Sequence, residues 1–326
     1  MSKRTLLAAM FAAIGAFAAT TAQAEFKPSG PIDFVVHGGP GSGNDVTART
    51  LATIIEAEKL APVRVQVVNK PGGGSTSAAN YIYSKKGDNQ VIGLYTNIWL
   101  TDPLVQEAAT HRLVTDMTPI ARLTMEPALI VVRADSPIKS MQDFIKMAKE
   151  KPGQMKESGG SITSRENVVR QIIQKATGAH WAFISFPSGG RRLAALLGGH
   201  VDMMILEPSE ASEQVRGGKL RIIASVSEKR LPGFGDVPTL KDSGLPGDDV
   251  VQARGVVGTP GMSADAVAYY TDLLRRTTQT KEWKKYLDEN SFGGDFLGPK
   301  ETKEFLTTYE GKIRNTLKEA GLKVVR

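Results

Sequence analysis

The sequence predicts two α/β lobes, each a mostly parallel sheet flanked by helices. Three observations carry that expectation. Short β-rich runs alternate with helical patterns along most of the chain. Glycine-rich turns follow several strands, at the carboxyl ends where open α/β sheets place their binding crevices. Residues 25–326, left after an export segment, are long for one core and suit two domains.

The export segment is read first. Lys3 and Arg4 form a basic start, Leu6 to Ala19 an apolar stretch, and Ala22-Gln23-Ala24 a small-x-small cleavage pattern, so cleavage is expected after Ala24. The apolar stretch is shorter than the ~20 residues that span a bilayer, and no long apolar run follows it. The expected product is periplasmic and not membrane-embedded. The chain has no cysteine, so it needs no disulfide in an oxidising compartment and offers no lipid-anchor thiol.

PIDFVVHG (31–38) reads as a strand, and the helical pattern after it puts Val46, Leu51, Ile54 and Ile55 on one face. VRVQVVNKP is a second strand, closed by Pro71. The turn GGGSTS leads into another helix, and VIGLYTN is a third strand. The material then changes but the order repeats. ALIVVRADS is a strand; Ser140 and Asp143 cap a helix that stops at Pro152-Gly153. SRENVVRQIIQKATG is a helix with Val168, Val169, Ile172, Ile173 and Ala176 in one stripe. AFISF, VDMMILEP, LRIIASVS and VQARGVVGTP read as strands, with helices in RRLAALLGG and PSEASEQVRGG. Two helices are expected to close the chain, through Tyr269–Leu287 and Phe305–Leu317.

Catalytic and nucleotide chemistry find no support. Gly38, Gly39, Gly41 and Gly43 follow the first strand, yet Asn44-Asp45 stand where a phosphate loop needs Lys-Ser/Thr, and Val46 where a dinucleotide fingerprint needs glycine. Ser136-x-x-Lys139 lacks the partner motifs of its hydrolase class. Ser42 or Ser75 as a nucleophile would lack a base partner. His37, His111, His180 and His200 have no metal-ligand spacing. The formal net charge of +7 falls by two with Lys3 and Arg4, and the rest is spread along the chain without interleaved aromatics, which argues against a nucleic-acid partner.

Non-covalent anion capture remains. Helix N-termini carry free amides and partial positive charge, and glycines let a backbone approach closely. Ser42, Asn44, Ser75 and Thr76 add side-chain hydrogen bonds or serve only as caps. Arg165, Arg191 and Arg192 begin helices, where a cation opposes the dipole. Either a ligand carboxylate meets them, or they pair with Glu166 or Glu210 or face solvent. Tyr95, Trp99, Trp181 and Phe186 are candidates both for ring packing and for the core.

GGPGSGND, NKPGGGS, RADSPIKSMQDFIKMAKEKPG, FPSGGRRLAALLGGHVD, the run from EPSEASEQ to KDSGLPG, and RGVVGTPGMSADAVAYY follow one another in this order. Together they resemble the periplasmic substrate-binding (Bug) receptors of the tripartite tricarboxylate transporter family, over essentially the whole mature chain. The resemblance implies a two-lobed, type II periplasmic-binding-protein fold with its ligand cleft between the lobes. Residues 25–125 and 251–326 form lobe 1, residues 126–250 form lobe 2, and the crossings fall near Thr124–Pro127 and Asp249–Gln252. It implies a receptor with no enzymatic activity, holding a small di- or tricarboxylate by backbone amides and water and delivering it to separate membrane subunits; no cofactor is expected, and a monomer is the default expectation. A sensor component is the alternative.

The site implied by the resemblance comprises Gly39, Gly41, Ser42, Gly43, Asn44 and Asp45 in the first loop and Gly73, Gly74 and Ser75 in the second. Thr96 and Asn97 follow the third strand. Lobe 2 adds Ser161, Thr163, Ser164 and Arg165, then Ser188, Gly189, Gly190 and Arg191, and Glu207. Relatives commonly carry Glu where this chain has Arg191, and more glycine where it reads SITSREN. The added positive charge suggests a second carboxylate on the ligand. His37 stands where small apolar residues are frequent, and either touches ligand or ends its strand.

Overall fold

The computed structural model describes residues 26–186, 188–247, 250–293, 295–319 and 321–326. The expected export segment, residues 1–24, lies outside them, as do Asp248 and Asp249 near the expected second crossing.

Two five-stranded sheets organise the chain. The first contains β1 (Ile32–Val36), β2 (Val65–Asn69), β3 (Val91–Tyr95), β4 (Thr118–Glu126) and β10 (Gln252–Gly258), in the order β2-β1-β3-β10-β4. The second contains β5 (Ala128–Arg133), β6 (Lys156–Gly159), β7 (Ala182–Ser185), β8 (Met203–Leu206) and β9 (Leu220–Val226), in the order β7-β6-β8-β5-β9. In the first sheet β1 is parallel to β2 and β3, while β10 is antiparallel to both β3 and β4. In the second, β6 is parallel to β7 and β8, while β5 is antiparallel to both β8 and β9. Each sheet therefore has four strands running one way and a single strand, β10 or β5, against them. Each opposing strand is the first of its sheet after a crossing. Only Pro127 separates β4 from β5, so the chain changes sheet within one residue.

Helices α1 (Gly43–Ala57), α2 (Thr76–Ser84) and α3 (Ile98–Val105) follow β1, β2 and β3; the short α4 (Leu113–Asp116) follows α3, α5 (Met141–Glu150) follows the opposing strand β5, and α6 (Arg165–Thr177), α7 (Gly189–Leu197) and α8 (Pro208–Arg216) follow β6, β7 and β8. They cover both faces of each sheet, which is why β3 and β8 are buried along their whole length. Phe34, Leu51, Ile92 and Val256 lie in the core on one face of the first sheet, and Val35, Ile82, Trp99 and Val257 on the other. The second sheet is likewise packed on both sides, around Ile130 and Phe144 and around Leu129 and Leu196. Ser140 caps α5 by accepting the Asp143 N–H at 3.1 Å.

The C-terminal region differs from the sequence expectation. Three helices close the chain, α9 (Ala264–Gln279), α10 (Lys281–Asn290) and α11 (Pro299–Glu319). The run read as one helix through Tyr269–Leu287 breaks at Thr280, whose backbone is extended (φ −66°, ψ 157°) and whose hydroxyl accepts the Trp283 N–H at 3.2 Å. A threonine between two helical patterns is an N-cap as well as a helix residue, and periodicity does not separate the two. The sequence reading also passed over β4, α3, α4 and β6. β6 reads KESG and is held as a strand by pairing on both sides. Among the described residues, no helix is long and apolar enough to cross a membrane.

That polar strand carries a buried acid. Glu157 is fully buried, its Oε2 accepts the Trp181 indole N–H at 2.7 Å, and burial pushes its carboxyl up to about 8. The folded chain keeps this proton where an unfolded chain releases it near 4.5. Stability from this group is therefore complete below that value, falls by up to ~1.4 kcal/mol per pH unit above it, and levels off past about 8. Glu157→Gln keeps an acceptor for Trp181 and should flatten this fall, as measured by urea unfolding of both proteins at pH 5 and pH 8.

Candidate ligand-binding cleft

Six parallel strands end at one cavity of about 390 Å³ between the sheets. From the first sheet, β1 runs into His37, Gly38 and Gly39, β2 into Pro71, Gly72 and Gly74, and β3 into Thr96. From the second, β6 runs into Gly160 and Ser161, β7 into Phe186 and Ser188, and β8 into Glu207. Gln252 and Arg254 of β10 form the floor between the two sets.

The first loop is tied from behind. Asp45 accepts the Gly41 N–H at 2.9 Å, the Arg49 Nε at 3.0 Å and the Asn69 amide at 2.9 Å. Burial would raise its carboxyl, but these bonds, that from Arg49 foremost, hold it below its ordinary value. Gly41 takes φ +78°, which the turn requires. Ser42 is the N-cap of α1 yet does not cap it; its hydroxyl donates instead to Asn44 Oδ1 at 2.6 Å. The first-turn amides of α1 are left for another acceptor. His37 is fixed as well. Its Nδ1 accepts from the Trp99 indole at 2.9 Å, with the Asn44 amide at 2.8 Å, so its remaining proton is on Nε2. Burial, with Arg254 nearby, pushes its pKa down to about 3, and the ring stays neutral.

The second loop is tied by Asp102 of α3, which is wholly buried. Its Oδ2 accepts the Ser75 hydroxyl at 2.6 Å and the Ser75 N–H, and its Oδ1 accepts the Gln106 amide at 2.8 Å and the Thr163 hydroxyl of the other lobe. Burial raises the Asp102 carboxyl against the pull of these donors. Gly74, at φ +69°, packs so closely on Asp102 that a Cβ would lie 2.5 Å from its Oδ2.

The floor is a chain of buried ions. Arg254 and Glu126, 1% and 0% exposed, meet through Nε at 2.6 Å from Oε1 and a second contact from Nη2 to Oε2. Burial would lower the Arg254 pKa, but Glu126 holds it above its ordinary value. Gln252 joins Glu126 at 3.2 Å to Glu207 at 3.4 Å. Arg165 donates to Glu207 at 3.1 Å and to the Glu126 carbonyl at 3.0 Å. Arg192 faces Glu166 at 3.4 Å and Glu210 at 3.7 Å. Burial and the Glu207 charge push the Glu210 carboxyl up, whereas Arg165 pulls Glu207 down against its own burial.

The family model described as the tripartite tricarboxylate transporter family receptor matches residues 47–322. The chain belongs to this receptor family. A UPF0065 protein from the gbd 5′ region of Cupriavidus necator is 29% identical to this receptor, over 98% of this chain and 96% of the relative. Protein BugT of Bordetella pertussis is 23% identical, over 97% and 98%. Among solved structures, the periplasmic binding protein BugD shares the fold with a TM-score of 0.84 at 22% identity, covering 91% of this chain and 99% of that one. Rpa4515 of R. palustris, solved with adipate, does so at 0.85 and 20% identity, covering 91% and 99%.

Of the residues expected at the site of this receptor, the cavity wall contains His37, Gly39, Ser42, Gly43, Asn44, Gly74, Thr96, Ser161, Ser164, Arg165, Ser188, Gly189 and Glu207. Gly41, Asp45, Gly73, Ser75 and Thr163 lie outside the wall. Asn97 also lies outside it and holds the returning chain, accepting the Ala253 N–H at 2.9 Å and donating to the Val251 carbonyl at 3.0 Å. Gly190 and Arg191 face solvent, whereas Arg192 turns inward and is buried. Phe186 lines the cavity, while Tyr95, Trp99 and Trp181 are core residues. Glu126, Gln252 and Arg254 went unread in the sequence, although a lone charge inside an apolar strand, as in VQARGVVG, is a usable signal.

Glu126→Ala leaves the Arg254 guanidinium buried without its partner. It should cost about 3–5 kcal/mol of stability, read from the shift of the urea unfolding midpoint.

Proposed function

We propose that the protein is a periplasmic receptor that captures a small organic carboxylate in this cavity and delivers it, as a monomer, to separately encoded membrane subunits. The observation that carries this reading is the uncapped N-terminus of α1, facing the cavity beside Gly74 and the neutral His37. Free amides at a helix N-terminus bind an anion without any catalytic group. Relatives of the same fold, Rpa4515 with adipate and MatC of Rhodopseudomonas palustris with bound malate, support a carboxylate as the cargo. The expected cleavage after Ala24 supports export.

Catalysis has little to work with. The Ser42 hydroxyl is spent on Asn44 and that of Ser75 on Asp102, and His37 Nδ1 is occupied by Trp99 and Asn44. Binding and closure around a hinge are therefore the whole function in this reading. Pro127 and the stretch before β10 are the two connections about which the lobes would move.

In a thermal unfolding assay of refolded, ligand-free protein, a cognate carboxylate at a hundredfold excess over its Kd should add ~2.7 kcal/mol. Gly43→Pro sharpens the assay. Proline is tolerated at the first helical position, Ser42 already has the extended backbone (φ −75°, ψ 157°) that precedes proline, and a Cβ at Gly43 meets its nearest atom at 3.6 Å. The variant should keep the unliganded melting temperature and lose roughly tenfold in affinity with the missing N–H. Unchanged affinity would remove the α1 terminus from the site.

A further inference from the structure

A groove of about 480 Å³ runs along the edge where Asp102 accepts the Thr163 hydroxyl, and it shares no lining residue with the cargo cavity. Val105, Leu322 and Lys323 of lobe 1 form one wall. Ile162, Arg170 and Phe183 of lobe 2 form the other. Because the walls come from both lobes, the groove exists only while the lobes are together. Ile162 is 66% exposed, more than any other large hydrophobic side chain among the described residues. An isolated exposed isoleucine is ordinary, but one at the lip of an apolar groove marks an interaction surface.

The groove is also charged, with one sign. Two of its lining residues are cations and none is an acid. Lys323 lies 4.0 Å from Glu107, yet both side chains are more than 80% exposed and such a pair is weak. Arg170 spends its bonds on neutral acceptors, Asn167 Oδ1 at 2.9 Å and the Trp181 carbonyl at 2.8 Å, and lies over the Phe183 ring at 5.7 Å. Burial holds its pKa below the ordinary arginine value, and Glu157, the acid that opposes this, keeps its proton up to about 8. A carboxylate arriving at Arg170 would therefore meet a half-buried charge without a full counter-ion.

Resting on the receptor reading above, we infer that the membrane subunits recognise the closed receptor at this groove. Their docking segment presents an apolar side chain to Ile162, Phe183 and Leu322, and a carboxylate to Arg170 and Lys323. A second copy of this chain fits less well, since groove against groove would set cations against cations. An open receptor offers each wall alone, so the partner favours closed over open protein.

In the test, refolded protein carrying the photo-crosslinker benzoylphenylalanine at position 162 is illuminated on spheroplasts of the source organism. The expected adduct joins it to an integral membrane protein, through a peptide that contains Asp or Glu and lies outside the membrane spans. Unlabelled receptor should displace the adduct. Ile162→Asp should displace it roughly tenfold less well, and Arg170→Gln and Lys323→Glu about threefold less well. Ile162 and Lys323 are exposed, so their variants keep the melting temperature and decide the outcome if Arg170→Gln folds poorly. No adduct, an adduct with a second copy or a soluble protein, or full displacement by all three variants would overturn the groove as a docking site. The cargo shift in thermal unfolding would stand regardless. Loss confined to one wall would overturn the dependence on closure. An adduct with a membrane signalling protein would overturn delivery to transport subunits, and this partner with it.

Discussion

The ion pair between Arg254 and Glu126 is the constraint on which the rest of the molecule depends. The two residues lie on the strands by which the chain leaves the first sheet and re-enters it, with Gln252 in register opposite Glu126. Neither is tolerable alone at that depth, so the pair specifies where the two crossing strands meet. From that point the ions continue outward through Gln252 to Glu207 and Arg165, and thus from one lobe into the other. The floor of the cavity and the joint between the lobes are the same set of charges.

Around that joint, the topology does the positioning. Parallel strands deliver their carboxyl ends, and the helices after them deliver their amino ends, to one place. Because β10 and β5 run against their sheets, neither contributes such an end; of the four strands that run together in each sheet, three end at the cavity wall, β1, β2 and β3 on one side and β6, β7 and β8 on the other. The two sides are then chemically unlike. Lobe 1 offers uncapped backbone and a neutral imidazole; lobe 2 offers arginines paired with acids. A symmetric architecture carries an asymmetric site.

Much of this was legible in the sequence, for physical reasons that also explain the gaps. Strand-helix alternation and the glycine loops are local signals, and they located β1, β2, β3 and the loops after them. Ser140 was readable as a cap because its partner Asp143 is three residues away. The role of Asp45 was not: its bonds run backward to Gly41 and across to Asn69, and only the fold shows that it ties the loop. Arg191 and Arg192 are neighbours in sequence but sit at different azimuths on α7, so one is exposed and the other buried. Composition registers both as positive charge; pairing across the lobe with Glu166 and Glu210 decides what that charge is worth. Thr280 went unread because the helical periodicity runs on across it, and only its extended backbone and its bond from the Trp283 N–H show the break.

Asp102 has a further consequence, which concerns time. This carboxylate holds Ser75 in the loop of one lobe and Thr163 in the loop of the other, and it lies behind the cavity wall. The lobes cannot part along that edge until Thr163 lets go of it, whatever occupies the cleft. Dwell time, and with it the rate at which cargo is surrendered, is then governed partly by a bond that cargo never touches.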